Sequence, residues 1–139
     1  MREILCRGKR KDNGEWAYGY LYIRNDGQYE ISFYSKYFDS ERFTYDIIPE
    51  TVGEYTNLTD KNDKKIFEGD IIKQINSYDK LEMTGFVRFS KSSQFVISHT
   101  YTEKENCYKR GMKKAFAIKT NCEIIGNIYD NPKLLEVEE

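Results

Sequence analysis

Residues that bind metals or form disulfides are scarce in this chain of 139 residues. It has one His and three Cys, and Cys6, Cys107 and Cys122 contain no Cys-x-x-Cys pair. Both paired zinc ligands and the even cysteine sets of small disulfide-rich domains are therefore missing. We expect three free thiols, no metal site and no cofactor.

Long apolar runs and proline are also scarce. No run approaches the roughly 18 apolar residues of a membrane-spanning helix, and the N-terminus lacks the apolar segment of a signal peptide. Pro occurs 2 times, whereas aromatic residues make up 15% of the chain, with 12 Tyr and 8 Phe. This balance favours a folded β-rich protein with a true core over a disordered chain. We expect it to be cytosolic and to have no membrane partner.

Signatures of catalysis are missing as well. There is no phosphate-binding loop and no dinucleotide fingerprint. His99 is the only imidazole, and no spacing pairs it with Cys107, so a surface or rim position is the simpler interpretation. Glu68 and Asp70 flank Gly69, where turn residues that bond backbone N–H groups are expected more often than an acid–base pair. We predict a protein that is not an enzyme; an enzyme with an unrecognised site is the weakest alternative.

Turn signals are abundant in the first third of the chain. Asn13-Gly14 is a strong hairpin signal, and Asn25-Asp26-Gly27 marks the next turn. Strands are predicted before, between and after these turns, at residues 3–11, 16–23 and 29–33, forming an antiparallel meander. Residues 34–49 have no clean period, and we expect a loop with a strand at 44–48.

The second strand has an unusual row of rings. Trp16, Tyr18, Tyr20 and Tyr22 recur at period two, with Ala17, Gly19, Leu21 and Ile23 between them. Both faces are therefore apolar or aromatic, which predicts that both are covered. The row is interpreted as the wall of a core or as a subunit or partner interface. A stacking platform for bases or sugars is the less favoured alternative.

Residues 50–73 have the densest turn chemistry. A single helical turn is expected at 50–52, and Tyr55–Leu58 suits an extended run. Asp60–Lys64 predicts a tight turn, and Ile66-Phe67 an apolar anchor. Glu68-Gly69-Asp70 predicts a second turn that leads into a strand at 71–75.

The back half of the chain predicts further short strands, at 85–89 and 94–98, and a final hairpin formed by 115–119 and 123–129. Residues 101–114 lack a strand pattern, which predicts a partly helical insertion or a loop. The fold class is all-β with minor helix, in which an N-terminal meander packs against a C-terminal SH3-like or barrel-like half. We predict a single domain over 1–139, with a division into subdomains 1–49 and 50–139.

Three motifs in order resemble the YopX family, which phages and prophages of Gram-positive bacteria encode. They are Arg7-Gly8-Lys9, the run Thr51 to Ile71, and Ile125 to Leu135 with its Ile-Gly-Asn-Ile-Tyr-Asp-Asn-Pro text. Two positions depart from the family pattern: Asp63 replaces a Gly, and Phe67 replaces a Tyr. Because Asp tolerates a left-handed backbone less well than Gly, that turn is expected to be slightly strained or of another type. The resemblance implies a β-rich phage accessory protein in the bacterial host cytoplasm and implies no activity.

A cationic stretch carries the rival interpretation. Six cationic residues lie between 104 and 119 against Glu105 alone, although the net charge is −1. Tyr108 and Phe116 are interleaved, as suits a contact that tracks a nucleic-acid backbone and stacks on bases. The commoner outcome for such a run is a solvated loop and strand face. The candidate contact residues for nucleic acid or an acidic partner are Lys104, Lys109, Arg110, Lys113 and Lys114.

The leading prediction is a non-catalytic binding or assembly role. The protein is expected to be a homo-oligomer, or to bind a host or phage protein, with Trp16, Tyr18, Tyr20 and Tyr22 in the interface. Nucleic-acid binding through the cationic stretch is the alternative.

Overall fold

The computed structural model describes residues 3–34, 41–75, 80, 82–90, 93–100 and 113–135. Within these ranges the chain forms eleven strands and two short 3-10 helices, which confirms the all-β prediction. The strands are β1 (Cys6–Lys9), β2 (Trp16–Ile23), β3 (Tyr29–Tyr34), β4 (Arg42–Ile47), β5 (Gly53–Thr59), β6 (Lys65–Phe67), β7 (Asp70–Ile75), β8 (Glu82–Phe89), β9 (Phe95–Thr100), β10 (Lys113–Ala117) and β11 (Glu123–Asn127). The 3-10 helices are Pro49–Thr51 and Pro132–Leu135.

The predicted turns set up the first meander. Gly14 adopts a φ of 74° and its N–H donates to the carbonyl of Arg10 at 2.9 Å. Gly27 adopts a φ of 88°, and its N–H donates to the carbonyl of Arg24 at 2.9 Å. Such backbone angles favour glycine. Antiparallel pairing of β1 with β2 and of β2 with β3 confirms the predicted three-stranded meander.

The strand β4 adds a fourth strand to the meander, and its last residue lies beside the end of the first strand. It pairs with β3 over its whole length, and an isolated bridge joins Ile47 at its end to Arg10 just after β1. The N–H of Ile48 donates to the carbonyl of Lys9 at 2.9 Å, and that of Lys11 to the carbonyl of Asp46 at 2.9 Å. The first four strands therefore curl until the last meets the first. Their inner face buries Ala17, Ile31 and Ile47, with Leu21, Tyr29, Tyr45 and Val52 packed against them.

The two sheets have different orders. The first is β4-β3-β2-β1-β5-β6 and the second is β10-β9-β8-β7-β11. A second core joins Ile66 of β6 to Ile72, Val87, Ile97 and Cys122, and it is supported by Met83, Phe95, Ile118 and Ile124. The SH3-like or barrel-like character of the C-terminal half stays a prediction.

The predicted final hairpin is wrong. Its first arm, β10, pairs with β9, and its second arm, β11, pairs with β7 at the opposite side of the sheet. Long-range bonds explain the difference: Lys61 donates its N–H to the carbonyl of Cys122 at 2.9 Å, and Ile124 donates its N–H to Asp60 Oδ2 at 3.1 Å. These bonds hold the start of β11 beside the turn that precedes β6.

The chain divides into two compact units, Met1–Asn57 and Leu58–Glu139. The single domain with subdomains 1–49 and 50–139 stays a prediction. Each unit contains one of the two cores. Of the insertion expected at 101–114, residues 101–112 lie outside the described ranges, whereas β10 begins at Lys113. Among the parts of the chain that can be described, no helix has the length and apolar character needed to span a membrane.

Candidate interaction face

Alternate residues of β2 have opposite environments. Ala17 and Gly19 are buried, whereas Tyr18, Tyr20 and Tyr22 are 47%, 60% and 56% exposed. The inward positions line the core of the first unit, and the tyrosine rings lie on the outside of the curled sheet. The chain itself leaves these three tyrosines exposed, so they are not the wall of its core, and the subunit or partner interface stays a prediction.

Trp16 differs from the tyrosines that follow it. It is half-buried, with the Arg7 guanidinium 4.6 Å and the Lys9 ammonium 5.5 Å from the centre of its ring. Pairing of β1 with β2 creates this cluster, because Lys9 lies opposite Trp16 and Arg7 opposite Tyr18. In the sequence, Arg7 and Lys9 stand out as part of a family motif, and cation–π contact with the indole is the physical role that the structure adds.

Strand pairing brings further polar and aromatic side chains beside the tyrosine row. Tyr20 lies opposite Ser32 and Tyr22 opposite Glu30; in the next pair of strands, Ser32 lies opposite Thr44. The same register places Tyr34 opposite Arg42 and Glu30 opposite Asp46. We call the outward positions of these three strands the outer tyrosine face: Tyr18, Tyr20, Tyr22, Glu30, Ser32, Tyr34, Arg42, Thr44 and Asp46.

A shallow cavity of about 580 Å³ lies on this face. Its lining includes Tyr20, Tyr22, Tyr34, Ser32 and Arg42, together with Leu21. The Ser32 and Thr44 hydroxyls lie 3.0 Å apart, and Arg42 Nε donates to Thr44 Oγ1 at 3.3 Å. The cavity is therefore lined by the Ser32 side chain, exposed rings and one guanidinium, with Thr44 bonded to Ser32 and Arg42 beside it.

Tyr34 and Arg42 do not belong to the interface predicted from the sequence. They flank residues 35–40, which lie outside the described ranges, within a segment that showed no clean period. The signal available was the alternation in β4, where Arg42, Thr44 and Asp46 are exposed and the residues between them are half-buried. That alternation is typical of a strand with one wet face.

The acidic pair considered for catalysis has a structural role at Asp70. This carboxylate is 2% exposed, and its Oδ2 accepts the N–H of Phe67 at 2.8 Å. Gly69, between the two acidic residues, has a φ of 89°. The interpretation of Asp70 as a turn residue that bonds a backbone N–H group is confirmed.

Asp60 organises the preceding turn. It is 4% exposed, and its Oδ1 accepts the N–H groups of Asn62 at 2.9 Å and Lys64 at 3.0 Å, while its Oδ2 accepts that of Ile124. Burial alone would raise the pKa of Asp60, but these three N–H groups and the charge of Lys64 outweigh it and lower the pKa below its ordinary value. The turn predicted at Asp60–Lys64 is confirmed, with Asp63 at a φ of 62°.

The thiols contribute no visible chemistry. Cys122 is a free, buried thiol, and Cys107 lies outside the described ranges, so three free thiols stay a prediction. Burial raises the pKa of the Cys122 thiol, and the negative charge of Asp60 adds to that effect. In the described parts of the chain, no three His, Cys, Asp or Glu side chains gather as a metal ion would require.

The predicted cationic contact is only partly described. Lys104, Lys109 and Arg110 lie outside the described residues. Lys113 and Lys114 begin β10, where they pair with Thr100 and His99 of β9. Nucleic-acid or acidic-partner binding through this stretch stays a prediction, as does the rim position of His99.

Fold and surface together define a two-core, all-β protein whose first unit presents an open aromatic face. A family model described as YopX protein matches residues 6–136, nearly the whole chain. The chain belongs to the YopX family. No curated protein matches it.

Two of the family motifs hold turns together in this chain. Asp60, Gly69 and Asp70 shape the turns of the central motif, as described above. In the closing motif, Asn127 Oδ1 accepts the N–H groups of Tyr129 at 3.0 Å and Asp130 at 2.9 Å. Ile128 donates its N–H to the carbonyl of Gly69 at 2.8 Å, which joins the two motifs. These contacts give Asp60, Gly69, Asp70 and Asn127 a role in maintaining the backbone conformation of the turns.

Proposed function

We propose that this protein is a non-catalytic binding or assembly protein that acts through its outer tyrosine face. The observation that carries the proposal is the exposure of Tyr20, Tyr22 and Tyr34, each 56–60%, on adjacent strands. Tyrosine supplies a large contact area with few rotatable bonds and is enriched in protein interfaces. Exposed apolar area concentrated in one patch is typical of an interaction surface.

The non-catalytic part of the proposal is supported by the roles of the motif residues. Asp60 and Asp70 are both nearly buried and use their carboxylates to accept backbone N–H groups. A carboxylate engaged in this way maintains a turn and is poorly placed to exchange protons with a substrate. The family resemblance further supports a phage or prophage accessory protein that works in the cytoplasm of the bacterial host.

The proposal is tested by removing the rings. In the triple variant Tyr20→Ser, Tyr22→Ser, Tyr34→Ser, we expect loss of self-association or of a retained partner, with the fold intact. The matched control is Ile75→Ser, Leu134→Ser, which removes exposed apolar side chains that are 48% and 44% exposed outside the face. Mass is measured by light scattering, and partners from host cells producing the protein are quantified on the immobilised full chain.

Protection of the rings provides a second readout. Hydroxyl-radical footprinting should show Tyr20, Tyr22 and Tyr34 protected in the associated protein and reactive after dilution. The proposal is wrong if the triple variant keeps both the mass and the partners of the parent protein, with its rings equally reactive in every state.

A further inference from the structure

We propose that the outer tyrosine face binds the same face of a second copy of this chain, about a two-fold axis that runs across the strands. Arg42 of each copy then lies opposite Asp46 of the other. This inference rests on the proposed function, since it specifies the occupant of that face.

The charge order along β4 carries the argument. Arg42, Thr44 and Asp46 are its exposed positions, with the cation at one end and the anion at the other. At about 3.3 Å per residue, the two charged positions are about 13 Å apart. Arg42 donates to Thr44 Oγ1, and neither Arg42 nor Asp46 has an ion pair with any residue in the described ranges.

Two-fold symmetry makes the charges on β4 of one copy complementary to those on β4 of the other. In a two-fold dimer the same patch is used by both copies, so residue i meets j and j meets i. An axis across the strands reverses the order along each strand and keeps the order of the strands. Arg42 then faces Asp46 of the second copy, and the pair occurs twice. An axis parallel to the strands would bring β4 against β2 and leave both charges facing tyrosines.

The remaining rows agree with the same axis. The central row is Tyr20, Ser32 and Thr44, which the strand register aligns. Tyr20 and Thr44 are exposed, and their hydroxyl groups both donate and accept hydrogen bonds, so each can face its own copy. Ser32 is buried between them, and its hydroxyl pairs with that of Thr44 in the same chain. In the outer rows, Tyr34 of one copy faces Glu30 of the other, so a phenol donor meets a carboxylate acceptor.

A single-stranded nucleic acid fits this face less well. Tyrosines would stack on bases, but such grooves track the phosphate backbone with positive charge. Here Glu30 and Asp46 lie in one row of the face, and Glu30 already pairs with Arg24 at 3.5 Å. Mixed charge of this kind matches a surface that has both signs, as its own copy does.

Charge reversal tests the inference on the full chain by sedimentation equilibrium at low salt. Arg42→Asp places two like-charged pairs in the dimer, as does Asp46→Arg, and each single variant should self-associate at least about tenfold more weakly than the parent. An equimolar mixture of the two should form a heterodimer, because every pair is then attractive. The double variant Arg42→Asp, Asp46→Arg should dimerise like the parent.

Two controls keep the outcome interpretable. Glu50→Arg reverses an exposed charge on the 3-10 helix Pro49–Thr51, outside the face, and should leave dimerisation unchanged. Urea unfolding of every variant, followed by Trp16 fluorescence, identifies a variant that fails to fold; if a single variant does so, the double variant decides.

Three results would overturn the dimer: a parent protein that is monomeric at millimolar concentration, single variants that associate like the parent, or a mixture that does not recover association. A monomeric parent whose triple tyrosine variant loses a different partner would remove this inference and leave the proposed function intact. The dimer would also be overturned if the protein did not self-associate and single-stranded DNA were the only molecule found to bind the face. If neither association nor partner depends on the tyrosines, both proposals fall.

Discussion

A single buried carboxylate holds the turn between β5 and β6. Asp60 is nearly buried but stays ionised because three backbone N–H groups converge on it from residues 62, 64 and 124. One of these donors is more than sixty residues away in sequence. A side chain that local turn chemistry places in a tight turn therefore also anchors the start of β11.

Replacing Asp60 by Asn should lower the free energy of unfolding by about 1–3 kcal/mol, since an amide accepts through one atom and leaves a buried N–H group unsatisfied. The pH dependence follows from the lowered pKa of Asp60. A lowered folded-state pKa means that its stabilising effect is complete above the unfolded value, near 4, and is lost as pH falls through the folded value. Urea unfolding at a series of pH values measures both effects.

The control is Asp63→Asn, which removes the same charge from the same turn without removing these bonds. It should leave stability nearly unchanged, because Asn tolerates the φ of 62° at this position. Equal losses in the two variants would show that charge, and not hydrogen bonding, explains the effect of Asp60.

A second prediction concerns strain at Asp63. Asp63→Gly should raise the free energy of unfolding by up to about 1 kcal/mol, because glycine adopts a positive φ at no steric cost. The gain is limited by the greater freedom of glycine in the unfolded chain. Thermal and urea unfolding measure it; a variant less stable than the parent would show that the left-handed backbone here is unstrained for Asp.

At the scale of elements, the absence of a side chain at Gly19 allows β2 and β3 to lie close together. A Cβ at Gly19 would meet the carbonyl oxygen of Ser32 and lie 2.9 Å from its carbonyl carbon. Gly19 lies where β2 passes from its pairing with β1 to its pairing with β3. The strand exchange that curls the first sheet depends on the missing side chain.

Gly19→Ala should therefore destabilise the protein by about 1–3 kcal/mol through backbone displacement. Gly14→Ala is the comparison, since its Cβ would meet nothing within 4 Å and only its φ of 74° opposes the change. Denaturant midpoints of the two variants measure the difference. Tolerance of alanine at 19 with full stability would mean that β2 and β3 are farther apart than the structure places them.

Element prediction from sequence succeeded where the information was local. The hairpin at Asn13-Gly14, the turn at Asp60–Lys64 and the strand order of the first meander all depend on residues close in sequence. The final hairpin failed because its pairing is decided at a distance. Gln74, on β7, accepts the N–H of Lys119 and donates to the carbonyl of Ala117, both at 3.0 Å. No local pattern near residue 120 records that contact.

At the scale of the whole molecule, two separate cores share one chain. The first contains Ile31 and the second Ile72, both fully buried. Each unit also carries its own reporter: Trp16, the only tryptophan, in the first, and the buried thiol of Cys122 in the second. Damage to either core can therefore be followed where it occurs.

Ile31→Ala and Ile72→Ala should each cost about 2–5 kcal/mol through the cavity left behind. We expect Ile31→Ala to shift the unfolding transition of Trp16 fluorescence further than that of Cys122 alkylation, and Ile72→Ala to do the reverse. The measurements use a Cys6→Ser, Cys107→Ser background so that a single thiol reacts. Identical shifts of both probes in both variants would show one cooperative unit.

By itself, the sequence determined the β-rich class, the positions of most turns and the family, because turn chemistry and side-chain alternation act over a few residues. It also singled out the tyrosine row of β2. Only the tertiary structure decided that these rings lie outside the curled sheet, and that Tyr34, Arg42 and Asp46 join them. The physical reason is that side-chain period shows which residues share a face, whereas strand pairing over long sequence separations decides which face the core covers.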